Sequence, residues 1–143
     1  MTAMTITNIS TYTNWGHACE QSLAYALTGE IRAHDHVAFD KDSDIPEFHM
    51  SVKSRKFTLA SSRVLPGDTW EEMINNFFQM TASKVFAYVT KEMVVYMMNA
   101  DEFREFLTLF TFLDRESKEH GGGYKVRAKE ESKKMLAWLM ANA

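Results

Sequence analysis

Residues 44 to 54 read Asp-Ile-Pro-Glu-Phe-His-Met-Ser-Val-Lys-Ser, a carboxylate leading into an apolar/polar alternation that delivers a lysine. In an extended strand successive side chains alternate between faces, so Glu47, His49, Ser51 and Lys53 are expected on one side and Phe48, Met50 and Val52 on the other. The apolar side can pack, and the polar side becomes a row of chemistry. A carboxylate and a lysine held close together suit divalent-metal hydrolysis of a phosphodiester. Carboxylate oxygens hold a hard cation, and an ammonium beside the scissile phosphate orients water or stabilises charge.

Other constellations compete with this one and are weaker. Asp40, Asp42 and Asp44 begin like a calcium loop, but Ile45 stands where that loop needs glycine and Ser51 where it needs a bidentate glutamate. His34 and His36 alternate in a strand-like segment and could join His17 or His49 on a transition metal, although lone histidines are more often surface or satisfied core residues. Cys19 and His17 lie two apart on a helix and point in different directions, so they make no nucleophile pair. Gly121-Gly122-Gly123 lacks the Gly-Lys-Ser/Thr ending of a phosphate-binding loop and reads as a break in the chain.

The elements that must position Asp44 and Lys53 follow from periodicity and punctuation. A helix is expected from Trp15 to Leu27, with Glu20 bordering an apolar face of Leu23, Ala24 and Leu27 and with Gly29 as its cap. Strands are expected at His36–Phe39, through the Asp44–Ser54 unit, and at Phe57–Ala60. Pro66-Gly67-Asp68-Thr69 then turns into a helix ending near Ser83, where Thr69 and Glu72 have capping-box spacing and Trp70, Met73, Ile74 and Phe77 form the buried stripe. Val85–Val89 and Met93–Met98 read as a hairpin. Beyond it, Asn99 or Asp101 caps a helix in which Phe103, Phe106, Leu107, Phe110 and Leu113 recur at helical spacing, a core face or a homodimer interface. Tyr124-Lys125-Val126-Arg127 could grip nucleic acid by stacking and charge. A last helix carries Met135, Leu136, Trp138 and Leu139.

The resulting order, αβββαβ over residues 15 to 98 with Asp before the second strand and Lys within it, resembles the PD-(D/E)XK nuclease superfamily. The resemblance implies a restriction-endonuclease-like α/β fold, a mixed central sheet flanked by helices, here with extra C-terminal helices over residues 99 to 143. It implies Mg²⁺ or Mn²⁺ held by Asp44 with Glu20 or Glu47 and the backbone carbonyl near Val52, Lys53 as the catalytic lysine, and DNA as the substrate. Ser51 stands where the family usually carries the second carboxylate, which is why Glu47 and Glu20 are the substitutes to test. His49, Ser51, Ser54, Arg55 and Lys56 are the candidate substrate contacts. The competing expectation is an inactive nuclease-fold module that binds nucleic acid or a protein. Strands containing Val37, Phe39, Met50, Val52, Leu59, Phe86 and Tyr88 are expected in one sheet, with residues 48 to 53 paired on both sides.

Composition narrows the classes without choosing a function. The 143 residues, 45% hydrophobic and 24% charged, suit one globular domain. A single cysteine, Cys19, excludes an intramolecular disulfide and a thiolate zinc finger, and fits a reducing cytoplasm. No basic segment followed by an apolar run opens the chain, and no stretch approaches the ~20 apolar residues of a membrane span. A net charge of −3 argues against a uniformly basic coat for DNA, so any phosphate contact must come from local clusters such as Lys53, Arg55, Lys56 and Arg63, or Lys125, Arg127 and Lys129.

Overall fold

The computed structural model describes residues 1–32, 43–59, 69–109, 111–115, 124–127 and 133–143. The expected strand His36–Phe39, the turn at residues 66–68, Arg63, Phe110 and the triple glycine lie outside the described residues.

Caps and turn residues place the helices where the sequence puts them. The helix α1 (Trp15–Thr28) starts at Asn14, whose side chain accepts the His17 N–H at 3.0 Å, and stops at Gly29, whose φ of 77° is the left-handed cap that glycine adopts without a Cβ penalty. Thr69 accepts the Glu72 N–H to open α2 (Trp70–Met80). Asn99 and Glu102 exchange side-chain and backbone hydrogen bonds in a complete capping box at the start of α3 (Ala100–Leu107). A last helix, α4 (Lys133–Asn142), closes the chain.

The chain is an α/β protein whose main sheet has, among the described residues, four strands and mixed direction. Strands β1 (Thr2–Thr5), β2 (Met50–Ser54), β4 (Val85–Val89) and β5 (Val94–Met98) lie in the order β1-β5-β4-β2, with β2–β4 parallel and the other two pairs antiparallel. A second antiparallel sheet holds β3 (Lys56–Leu59), β6 (Thr111–Arg115) and β7 (Tyr124–Arg127) in the order β3-β7-β6. Alternation along β2 and β4 sorts two cores onto opposite faces of the main sheet. Met50, Val52, Ala87 and Val89 pack with Cys19, Leu23 and Ala24 of α1. Phe86 and Tyr88 face α2, α3, β3 and α4 in a larger cluster, where Phe86 stacks on Phe103 with ring centroids 4.6 Å apart.

Four expectations are corrected by this architecture. The strand carrying Lys53 begins at Met50 instead of Phe48, because Pro46–Phe48 form a 3₁₀ turn that ends on His49 at φ 49°. Leu59 belongs to the second sheet instead of the central one, since the chain swings out at Arg55 with φ 32°. The phenylalanine helix stops at Leu107, and residues 111–115 form β6, because pairing with β7 outweighs the helical spacing of Leu113. The C-terminal part is therefore strand as well as helix. An unexpected strand, β1, pairs with the hairpin strand β5 at the sheet edge.

Candidate functional site

Asp44 and Lys53 are joined through the edge of β2. Ile45 and Met50 exchange both backbone hydrogen bonds, at 3.0 and 3.2 Å, and thereby fold residues 44 and 45 back along the strand. Asp44 Oδ2 then accepts the Val52 N–H at 2.7 Å. A residue's N–H and C=O leave an extended strand on the same side, so the Val52 carbonyl opens toward the edge that Asp44 occupies, away from β4. The buried hydroxyls of Ser43 and Ser83 meet at 3.0 Å and tie this turn to the approach to β4.

Lys53 follows directly on β2, in register with Tyr88 of β4. It is only 6% exposed, and its ammonium lies 5.9 Å from the centroid of the Phe57 ring. Every residue of β2 is buried, Ser51 completely. The polar row expected on one face is therefore shorter than its alternation suggests. Ser51 and Lys53 keep it, whereas Glu47 and His49 belong to the exposed turn before the strand. The His49 carbonyl accepts from Lys84 and Val85 and starts the parallel pairing.

Glu47 and Glu20, the two candidate partners of Asp44, are carried by different elements, the turn before β2 and the helix α1. Glu47 is gripped by Arg32 in a forked ion pair, Nη1 to Oε1 at 2.8 Å and Nη2 to Oε2. The Arg32 hydrogen bonds pull the Glu47 carboxyl down to about 2. Glu20 rides on α1, which covers the Met50/Val52 face, so the strand separates that helix from the side carrying Ser51 and Lys53. The charge of Glu20 is felt by Cys19 instead. Burial pushes that thiol up to about 12, opposed by a hydrogen bond with Ser54 and reinforced by Glu20, which leaves an inert structural cysteine. Ser54 thus faces α1, while Arg55 is exposed at the bend between the sheets.

Among the described residues, no three His, Cys, Asp or Glu side chains gather where they could hold a metal ion. The donors that share one edge are the Asp44 carboxylate and the Val52 carbonyl. That set meets the lower bound for Mg²⁺, which commonly takes one or two carboxylates and completes its shell with water and substrate phosphate. Sequence reasoning missed Arg32, since nothing at a separation of 15 residues marks it as the partner of Glu47. Comparison with protein-family models, with curated proteins and with solved structures finds no match. No helix among the described residues is long and apolar enough to cross a membrane.

Proposed function

We propose that the chain is a phosphodiesterase of the PD-(D/E)XK type that cleaves DNA with Mg²⁺ or Mn²⁺. The observation that carries the reading is the Asp44 carboxylate clasped onto the Val52 N–H, one residue from the buried Lys53. Asp44 and the Val52 carbonyl are the residues that hold the cation. When bound, such an ion polarises the phosphodiester and acidifies a water molecule. Lys53 supplies a compact positive charge to the phosphate oxygens as negative charge grows on them, a role for which the broad, planar guanidinium of arginine is a poor replacement. The strained turn at His49 and the Ser43–Ser83 contact hold the Asp44 backbone against the strand.

Incubation with supercoiled plasmid and with single-stranded DNA in Mg²⁺ or Mn²⁺, against an EDTA control, tests this reading. Nicking that requires the metal and disappears in Lys53→Ala and Asp44→Asn is expected. Full cleavage by Lys53→Ala would sink the mechanism. A second reading is favoured by one observation: among the described residues, no three His, Cys, Asp or Glu side chains gather where they could hold a metal ion. On that reading the fold binds nucleic acid or a protein without cutting, and the wild type would leave plasmid intact under every divalent metal.

A further inference from the structure

The two outer strands of the main sheet end it differently. At β2, Ile45 pairs with Met50 and the Asp44 carboxylate accepts the Val52 N–H, so the outer main chain is engaged. At the other end β1 turns its outer side to solvent, with Thr2, Ala3 and Thr5 exposed and Met4 half-buried against the α1 cluster. Two hydrogen bonds fix which main-chain groups of β1 face outward. The Ile6 N–H donates to the Met93 carbonyl at 3.0 Å, and the Thr90 N–H donates to the Val94 carbonyl at 2.9 Å. In antiparallel pairing the direction alternates residue by residue, so Thr2, Met4 and Ile6 turn toward β5, whereas Ala3 and Thr5 turn their N–H and C=O groups away from it. Among the described residues no strand takes up those outward groups. The devices that natural sheets use to guard such an edge are missing here. Thr2-Ala3-Met4-Thr5-Ile6-Thr7 carries no charge and no proline, and its register with β5 runs without a bulge.

We infer that β1 pairs with β1 of a second copy of this chain, antiparallel about a two-fold axis at Met4, and joins the two main sheets into one. The register follows from the outward groups. Residues directly opposite each other in an antiparallel pair either both face the neighbouring strand or both turn away from it. Of the registers that obey this, the one centred on Met4 pairs both outward residues within Thr2–Thr5, Ala3 with Thr5 of the copy and Thr5 with its Ala3. Each of those pairs exchanges two main-chain hydrogen bonds, while Met4 meets Met4 in a pair without them, the kind in which side chains approach closest. Met4 already packs on the α1 cluster of its own chain, so this pair carries both clusters to the axis. The occupant is a second copy because the edge complements itself. A charged edge laid against its copy sets like charge near like charge, and β1 has no charge to set. An extended segment of a different protein is selected by pockets for its alternate side chains, whereas the exposed residues here are the short, uncharged Thr2, Ala3 and Thr5. Two-fold pairing also closes on itself, since it uses the β1 edges and leaves β2 at the far end of the sheet in each copy. A strand of 4 residues covers less than the roughly 1,200 Å² of a standard interface, so the association is weak, with a Kd on the order of micromolar or above. None of this depends on the proposed chemistry, which belongs to the β2 edge.

Sedimentation velocity of the full chain from about 5 to about 500 μM, a span that brackets a micromolar Kd, should show the weight-average mass climbing from monomer toward dimer and stopping there. A3K/T5K sets lysines directly opposite lysines in the inferred register and should stay monomeric throughout, with an unchanged urea midpoint because both positions are exposed. Thr5→Pro removes an outward N–H that β5 does not use, one from each copy, and should weaken association about tenfold. Ala137→Lys, exposed on α4, should leave association as it is. Cross-linking reads the axis. Met4→Cys brings two thiols together at the Cα separation of about 4.5 Å that a directly opposite, non-hydrogen-bonded pair has, within reach of a disulfide, and should cross-link in oxidised glutathione. Thr2→Cys stands four residues out of step with its copy, about 14 Å along the strand, and should not. The native Cys19 is buried and takes no part. Should A3K/T5K fail to fold, Thr5→Pro and the cross-linking pair decide. A wild type that stays monomeric over the whole range overturns the inference. So does a folded A3K/T5K that dimerises like the wild type, growth in mass beyond the dimer, or cross-linking of Thr2→Cys as complete as that of Met4→Cys.

Discussion

Glu47 shows how one side chain can change its role between sequence and structure. Alternation sets it on the face of Lys53, but the 3₁₀ turn at Pro46–Phe48 takes it out of the strand and hands it to Arg32. Its folded carboxyl lies at about 2, below its ordinary value of 4.5, so the pair contributes stability above that ordinary range and loses it as pH falls toward 2. The side chain is 44% exposed, so solvent screening limits that contribution to ~1 kcal/mol or less. Thermal melts of the wild type and Glu47→Gln should differ slightly at pH 6 and converge near pH 2, and high salt should shrink the difference. On the proposed function, metal-dependent cleavage should survive Glu47→Gln, because the carboxylate is engaged by Arg32. Loss of metal response in that variant would return Glu47 to the metal site.

The same separation of roles holds at the level of whole elements. Phe103, Phe106 and Leu107 of α3 are completely buried in the chain's own core, so this apolar face is already covered without a second subunit. Phe103 stacks on Phe86 and approaches Phe57 and Phe77, and truncating it leaves a cavity among rigid rings. Phe103→Ala should therefore cost about 3–5 kcal/mol in urea unfolding. Asn99→Ala removes an N-cap and one half of a capping box, at about 1 kcal/mol. If the two variants proved equally mild, α3 would be a peripheral helix and its packing as described would be wrong.

For the molecule as a whole, the main sheet divides the interior into two clusters, one under α1 and one under α2, α3, β3 and α4. Ile45 belongs to the first and Ile74 to the second, so Ile45→Val and Ile74→Val should each cost about 0.5–1.5 kcal/mol and combine additively within about 0.5 kcal/mol. Strong coupling between them, measured by urea unfolding of the double variant, would argue for a single continuous core. The sequence by itself determined the caps at Gly29, Thr69 and Asn99, the hairpin of β4 and β5, the buried stripe of α2 and the placing of Lys53 on a strand. Each of these depends on neighbours within a few residues, where periodicity and capping chemistry act. Tertiary structure alone decided that Asp44 clasps Val52, that Arg32 takes Glu47, that α1 covers the Met50/Val52 face of β2, and that β3 pairs with β7. Those outcomes join residues distant in sequence through strand register and sheet face. A shift of one residue in register, or a bend such as that at Arg55, reverses which side chains meet without changing the local pattern that the sequence displays.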